Sequence, residues 1–438
     1  MSHDHHMPSR EEILAGTSRP LPKWIRTLCI VFSIVGLIVF VIGLFVAPDR
    51  AWRSLLFNWL YFTSVSSAGV MFVAVQRITT ARWSRPVTRF MEGYVAFLPV
   101  AFVLLLLIFL GRSHIFPWTQ AASEIPEKKL YLNPLFLIPR DIILFGAIAG
   151  LSLWYIYTSV RLDVGVTGEG GAPWARKLRD RMRRGFRDER REIHSTHSLQ
   201  GYLAVILAFV FAFFWIVLSW DLSMSLDLHF QSTMYGWWFF MGGWVTAIAS
   251  LTILTIAWRR YLDRYDLITE KHFHDLGKLC FAFTAFWGYL TFGQYLVIWY
   301  GNLGEETHWM RLRLIAPWMK LTLLGVCLMF GPFFGLMAKS AKVFLPTLVL
   351  FASFTVAGLW IHRYIEVYPS LYWASKDIPF GIWEIGVGLG LLGVWGFCYT
   401  SFMDAFPRMR VVLMTSPFRD EVQVPVNPET MEPLPAHE

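Results

Sequence analysis

Lysine and arginine are not scattered along this chain. They fall in alternate gaps between long apolar stretches. Ten such stretches, 24–47, 53–77, 91–111, 139–160, 197–219, 233–258, 273–299, 315–337, 343–363 and 380–403, are each about long enough to cross ~30 Å of hydrocarbon as a helix. With the gaps numbered alternately from the N-terminus, and Arg26, Arg53, Arg77, Arg140, Lys278 and Arg363 toward stretch ends counted with the adjoining gap, both tails and gaps 2–3, 4–5, 6–7 and 8–9 hold 28 of the 39 Lys+Arg. The other side holds 10, and Lys320 lies inside a stretch. One span too many or too few would swap the side of everything after it and scramble this bias. The pattern therefore predicts an all-α integral membrane protein of ten transmembrane helices. Since basic loops stay inside, it predicts both termini in the cytoplasm.

Composition leaves little room for anything else. Of 438 residues 55% are hydrophobic and 16% charged. The expected organisation is a cytoplasmic tail at 1–23, a membrane domain at 24–403 and a second cytoplasmic tail at 404–438. The net charge of +8 follows from the loop bias and suits an anionic leaflet rather than nucleic acid. The first 23 residues are polar and the first apolar run is too long for an h-region, so no cleavable signal peptide is expected. The longest connection, 161–196, opens on a glycine-rich stretch and continues into a basic segment. There Trp174, Leu178, Met182 and Phe186 recur every four residues. That stripe predicts a helix lying on the inner leaflet or docking a partner subunit.

Redox chemistry of its own is not expected from this chain. Cys29, Cys280, Cys327 and Cys398 all lie within apolar stretches, and no C-x-x-C-H or C-x-x-C occurs. The first absence excludes a covalent c-type haem, and the second argues against an iron–sulfur cluster. Histidines sit at helix ends, in loops or in tails, with no mid-membrane pair to clamp a haem.

A weak internal repeat is visible. Arg77 closes the second span and Glu92 opens the third fifteen residues later, and Arg260 and Asp275 repeat that spacing at spans 6 and 7. Spans 2–5 and 6–9 would then form two four-helix bundles related as parallel repeats, with spans 1 and 10 flanking them.

Ionisable groups within hydrocarbon are costly and mark functional candidates. On span 7, Asp275, Lys278 and Tyr289 fall within a ~60° sector of an ideal helix, a candidate proton path from the cytoplasmic surface. The competing reading is a three-apart ion pair that anchors the helix. Glu92, below Pro99 on span 3, and Glu384 on span 10 are further proton-path candidates. Asn58, Ser64, Ser66 and Ser67 on span 2 could lend polar groups, although small hydroxylated residues in membrane helices more often pack. Near the outer surface, segment 219–230 holds Asp221, Asp227, His229 and Trp220 within ten residues, with His114 and Asp141 bordering the same face. A quinone needs an aromatic slot and a proton acceptor at its ring oxygens, which aspartate and histidine supply. The same residues equally suit a polar surface that docks a partner. His362 is a weaker candidate of this kind.

These segments resemble a known family. Trp220-Asp221 through Met224-Ser225-Leu226, with His229 and Ser232-Thr233, is similar to a motif of the large membrane subunits of alternative complex III. So is His274-Asp275-Leu276-Gly277-Lys278-Leu279 leading to Gln294-Tyr295-Leu296-Val297-Ile298-Trp299-Tyr300-Gly301-Asn302 and Glu305-Glu306-Thr307. They belong to the polysulfide-reductase membrane-anchor (NrfD-like) family, and over about 24–406 the chain resembles the ActF-type paralogue. It departs from the pattern with Leu228 where proline is frequent and Phe230 where tryptophan is common. The resemblance implies a bacterial inner-membrane complex that oxidises menaquinol and passes electrons to a periplasmic carrier. The implied partners are an ActC-type sister subunit, which the resemblance makes the main quinone site, an iron–sulfur subunit, multihaem and monohaem cytochrome c subunits and small membrane subunits. Haem and iron–sulfur clusters would reside in those partners, and a quinone is the one small molecule implied at this chain. Two other functions fit the residues alone: a secondary transporter, although transporters tend to inverted repeats and broken helices, and a purely structural membrane anchor.

Overall fold

The computed structural model describes residues 9–17, 20–120, 126–168 and 170–422. Parts of both expected tails, 1–8 and 423–438, lie outside the described residues. All regular structure among the described residues is helical. The long helices are α1 (Lys23–Val46), α2 (Pro48–Ile78), α3 (Thr88–Leu110, with a 3₁₀ stretch at Gly93–Phe97), α4 (Pro134–Thr167), α5 (Glu189–Leu222), α6 (Tyr235–Leu262) and α7 (Glu270–Gly301). They continue with α8 (Gly304–Leu314), α9 (Met319–Gly335), α10 (Leu345–Leu371) and α11 (Ile382–Ala405). Nine of the described helices are long and apolar enough to cross a membrane.

The eighth expected span, 315–337, is where sequence and structure part. Its apolar run begins in a non-helical link, Ile315–Trp318, that contains Pro317, and the helix proper is only the 17 residues of α9. α8 precedes it at a bend of 86°, so the two form either one broken span or a helix laid against the end of a shorter one. Elsewhere the helices overrun their apolar stretches. α4 and α5 have 34 residues each, because polar turns at their ends continue the helix where hydropathy has already fallen.

Local chemistry sets several ends. Asn133 caps α4 by accepting a hydrogen bond from the Leu135 N–H at 2.9 Å. Asp263 and Asn302 close α6 and α7 in the left-handed region, which these residue types tolerate. α1 and α11 touch through glycine: a Cβ on Gly36 would lie 2.2 Å from the Gly390 Cα, so only two glycines allow this crossing.

α2 is the hub. The most apolar part of the helix is completely buried, packed by α5, α6, α10 and α11. Its polar residues meet side chains from those helices. Trp215 Nε1 donates to Ser67 Oγ and Trp395 Nε1 to Ser66 Oγ, both at 2.9 Å, and Trp360 Nε1 donates to Asn58 Oδ1 at 2.8 Å. Such bonds within a membrane helix bundle contribute about 0.6 kcal/mol each, so they fix rotation and register more than they hold the fold together. The serine cluster here is a packing surface.

The basic segments meet at one end of the molecule. Arg10 pairs with Glu189 at 2.5 Å, Arg190 with Glu421 at 2.7 Å, and the Ala172 N–H donates to the Asp404 carbonyl. The predicted amphipathic stripe is split. The helix Arg176–Arg183 buries Met182, leaves Trp174 and Leu178 exposed, and stops before Phe186.

Candidate functional site

α7, α8, α9 and α10, with Trp238 of α6, line a cavity of about 500 Å³ at the α8–α9 bend. α8 turns away at 86°, and the cavity lies along the N-terminal part of α9, at Thr322, Leu323, Val326 and Phe330. Trp238, Trp287, Trp309 and Phe330 form aromatic walls. The lining residues Phe292 and Leu323 are 61% and 50% exposed, so the cavity opens on an apolar outer surface.

Its buried part carries a charged relay. His362 Nδ1 lies 2.8 Å from Glu366 Oε1, and Arg363 Nη1 donates to both Glu366 oxygens at 2.7 Å. All three side chains are buried. Their spacing along α10 supplies the pairing, since residues three and four apart share a helix face. Arg363 stands over the Phe239 ring at 3.4 Å and donates to the Phe239 carbonyl, which fixes Glu366 from behind. The His362 ring sits edge-on to Trp238 and Trp287 at 4.7 and 5.3 Å between centroids. With Nδ1 committed to Glu366, Nε2 has no hydrogen bond from the described residues. That leaves one ring nitrogen for a ligand in the cavity. Gln294, 3% exposed, lines the same space with neither amide atom hydrogen-bonded. A buried polar group left unmade costs about 1–3 kcal/mol, so such an amide calls for a ligand or water.

The outer polar pocket forms only in part. A vestibule of about 800 Å³ gathers His114, Asp227 and His229 with Asp49, Arg53 and His308. His114 Nδ1 is held 2.7 Å from Asp49. Lys128 donates to the Leu228 and Phe230 carbonyls and so fixes the loop that presents His229. Its loss of solvent pushes the Lys128 ammonium below the usual lysine range, against the pull of Asp227 and Glu305. Asp221 and Asp141 do not reach this vestibule. Both are fully buried between α4 and α5, side by side, with Arg140 paired to Asp221 at 2.8 Å.

The three span 7 residues share a face, as their spacing predicts, and that face is turned outward. Lys278 and Asp275 form an ion pair at 2.7 Å, with Lys278 54% exposed, and Tyr289 is 65% exposed. Glu384 is buried and fully engaged. It takes Arg50 at 3.1 and 2.7 Å, the Tyr368 hydroxyl at 3.0 Å and the Gly381 N–H at 2.8 Å.

Glu92 belongs to a second buried cluster. Arg89 pairs with it at 2.5 Å and also with Asp163, Arg410 approaches it at 3.3 Å, and Ser159 donates to it at 2.7 Å. Asp163 accepts the Val412 N–H at 2.9 Å. Arg410 also lines a small cavity of about 50 Å³ beside Gln76, Arg77, His197 and Gln200. That is room for roughly three waters.

Sequence reasoning missed Glu366, Arg363, Asp163, Arg89 and Arg410. The signal for the first two was present. His362–Glu366 and Arg363–Glu366 have helical pair spacing, but the apolar stretch ends at 363 by hydropathy, which places Glu366 in a loop. Asp163 and Arg410 come from distant segments, and no local pattern joins them. Among the described residues no three His, Cys, Asp or Glu side chains gather as a metal site. No protein-family model matches the chain, and no curated protein matches it.

Proposed function

We propose that this chain is a membrane subunit, without a redox centre of its own, of a quinol-oxidising respiratory complex similar to alternative complex III. The observation that carries the reading is the aromatic cavity that ends in the His362–Glu366 pair. Its residues fit a quinol. The apolar mouth admits a lipid-soluble ligand sideways, the indole walls accept a flat ring, and His362 Nε2 meets a hydroxyl. Glu366 holds the imidazole so that Nδ1 keeps its proton and Nε2 offers a lone pair. Oxidation of a quinol releases two protons and two electrons. One proton passes to His362 Nε2, and the electrons leave to iron–sulfur and haem groups of partner subunits.

In this reading α8 and α9 together make one broken span. The ten crossings follow the charge bias, with both termini and the loop 161–196 on the cytoplasmic side of the inner membrane and two four-helix sets, α2–α5 and α6–α10, as parallel repeats. Glu92, reached from the small cavity through Arg410, is the cytoplasmic arm of a proton path. The outward face bearing Asp275, Lys278 and Tyr289 takes part only where a neighbouring subunit supplies the second wall. Asp227, His229 and His114 in the outer vestibule face the periplasmic partners.

Isolation of the chain from native membranes in mild detergent tests this function. Haem-bearing and iron–sulfur subunits should accompany it. His362→Ala in that complex should lower quinol oxidation by roughly 10²-fold, the scale of a lost general base. A chain that isolates without redox subunits would contradict the proposal.

A further inference from the structure

Gln294 lines two cavities at once. One is the aromatic cavity described above. The other, of about 610 Å³, is lined by Gln231, Ser232, Thr233 and Glu306 with Tyr131 and Trp220. The side chain lies between an apolar chamber and one of mixed lining, where Met224, Met234, Val297 and Ile298 accompany the polar groups. It is 97% buried, yet Nε2 and Oε1 both lack a hydrogen-bond partner. Its neighbours on α7 are satisfied: Trp238 Nε1 donates to Thr291 Oγ1, and Thr291 donates to the Trp287 carbonyl. On α7 the amide is thus left unused with both of its polar atoms, whereas Arg313 Nε and Thr322 Oγ1 on the other walls each lack one partner.

We propose that Gln294 is the second ligand contact of the aromatic cavity, binding the ring oxygen that His362 does not. The proposal rests on the quinol reading of that cavity. A primary amide is suited to both forms of such a ligand. Its N–H donates to a quinone carbonyl, and its carbonyl accepts from a quinol hydroxyl. A charged side chain at this point would favour one redox form, whereas the amide serves both. On its far side lies the mixed chamber with half-buried Glu306, whose carboxylate is the acceptor for the proton released at that oxygen. Gln294 thus binds the ligand and also separates its apolar chamber from the route by which that proton leaves.

The test uses the full chain in lipid nanodiscs with carbonyl-¹³C 2-methyl-1,4-naphthoquinone as probe. Affinity comes from titration and hydrogen bonding from the infrared carbonyl stretch. Wild type should bind with one carbonyl band shifted down, as a donated hydrogen bond requires. Gln294→Leu, similar in size and free of the orphaned amide, should lose that shift and bind about tenfold more weakly. Without probe it should melt no lower than wild type, since it removes an unsatisfied group rather than a contact. His362→Ala should bind more weakly while keeping the band that Gln294 shifts. If Gln294→Leu leaves affinity and carbonyl band unchanged, water satisfies the amide and the inference fails while the quinol reading stands. If Gln294→Leu melts well below wild type, the amide is structural and the inference fails. If wild type binds no naphthoquinone, the quinol reading fails and this inference with it.

Discussion

The molecule holds two buried clusters of charge that differ in the space beside them. Around Glu92, two carboxylates meet two guanidinium groups, with Ser159 and the Val412 N–H filling further acceptor positions. Space beside it amounts to about 50 Å³. Around His362, a carboxylate, a guanidinium group and an imidazole are equally well tied, but they border about 500 Å³ of aromatic cavity and an amide without partners. Burial and ion pairing alone do not mark a ligand site, because both clusters have them. What separates them is room for a ligand, about 500 Å³ against about 50 Å³.

The contrast can be broken most easily at its closed end. Arg89→Ala would leave Glu92 and Asp163 with only Arg410 to offset them. Breaking a buried pair from one side costs roughly 3–5 kcal/mol. The expected outcome is a chain that fails to accumulate or melts far below wild type, as thermal unfolding in detergent would read. His362→Ala should cost less, roughly 1.5–3 kcal/mol for one charge-assisted hydrogen bond, because Arg363 still covers Glu366. Equal losses of stability at the two sites would erase the distinction.

Ser67→Ala deletes the hydroxyl that accepts the Trp215 Nε1 proton with little change in volume and should cost about 1 kcal/mol in the same melts. A larger loss would show that the tryptophan–serine contacts on α2 hold the fold rather than only setting its register. The smallest effect lies at the surface. Glu421 takes hydrogen bonds from His194 and Arg190 that hold its carboxyl below the ordinary 4.5. A depressed carboxyl pKa means that this contact is complete above about pH 4.5 and is lost as the pH falls through the lowered value. Limited proteolysis at 411–422 should therefore accelerate on acidification below that range, and Glu421→Gln should show the fast rate already at neutral pH. A rate independent of both would remove the contact from the account.

The sequence made the helices legible because hydropathy and charge both report on the same solvent boundary. It located span 7's shared face correctly, since helical geometry fixes which residues align, but not which way that face turns. Tyr289 looks inward by type and lies outside by packing. Glu384 was legible as a buried carboxylate, but its partners Arg50 and Tyr368 lie on other helices, so its engagement could not be read. The aromatic cavity escaped for a different reason. It exists because α8 and α9 bend at Pro317, and hydropathy merges that bend into one uniform stretch. Gln294 was visible only as a letter of a motif, since an unsatisfied hydrogen bond is a property of three dimensions.

Photolabelling tests the central claim most directly. Native membranes that hold the chain are illuminated with an azido-naphthoquinone, and labelled peptides are located by mass spectrometry. The account predicts label within 287–295 on α7 and 322–330 on α9, the two walls nearest the cavity mouth, suppressed by excess unlabelled quinone. Label confined to other subunits, with none on these two segments, would contradict it.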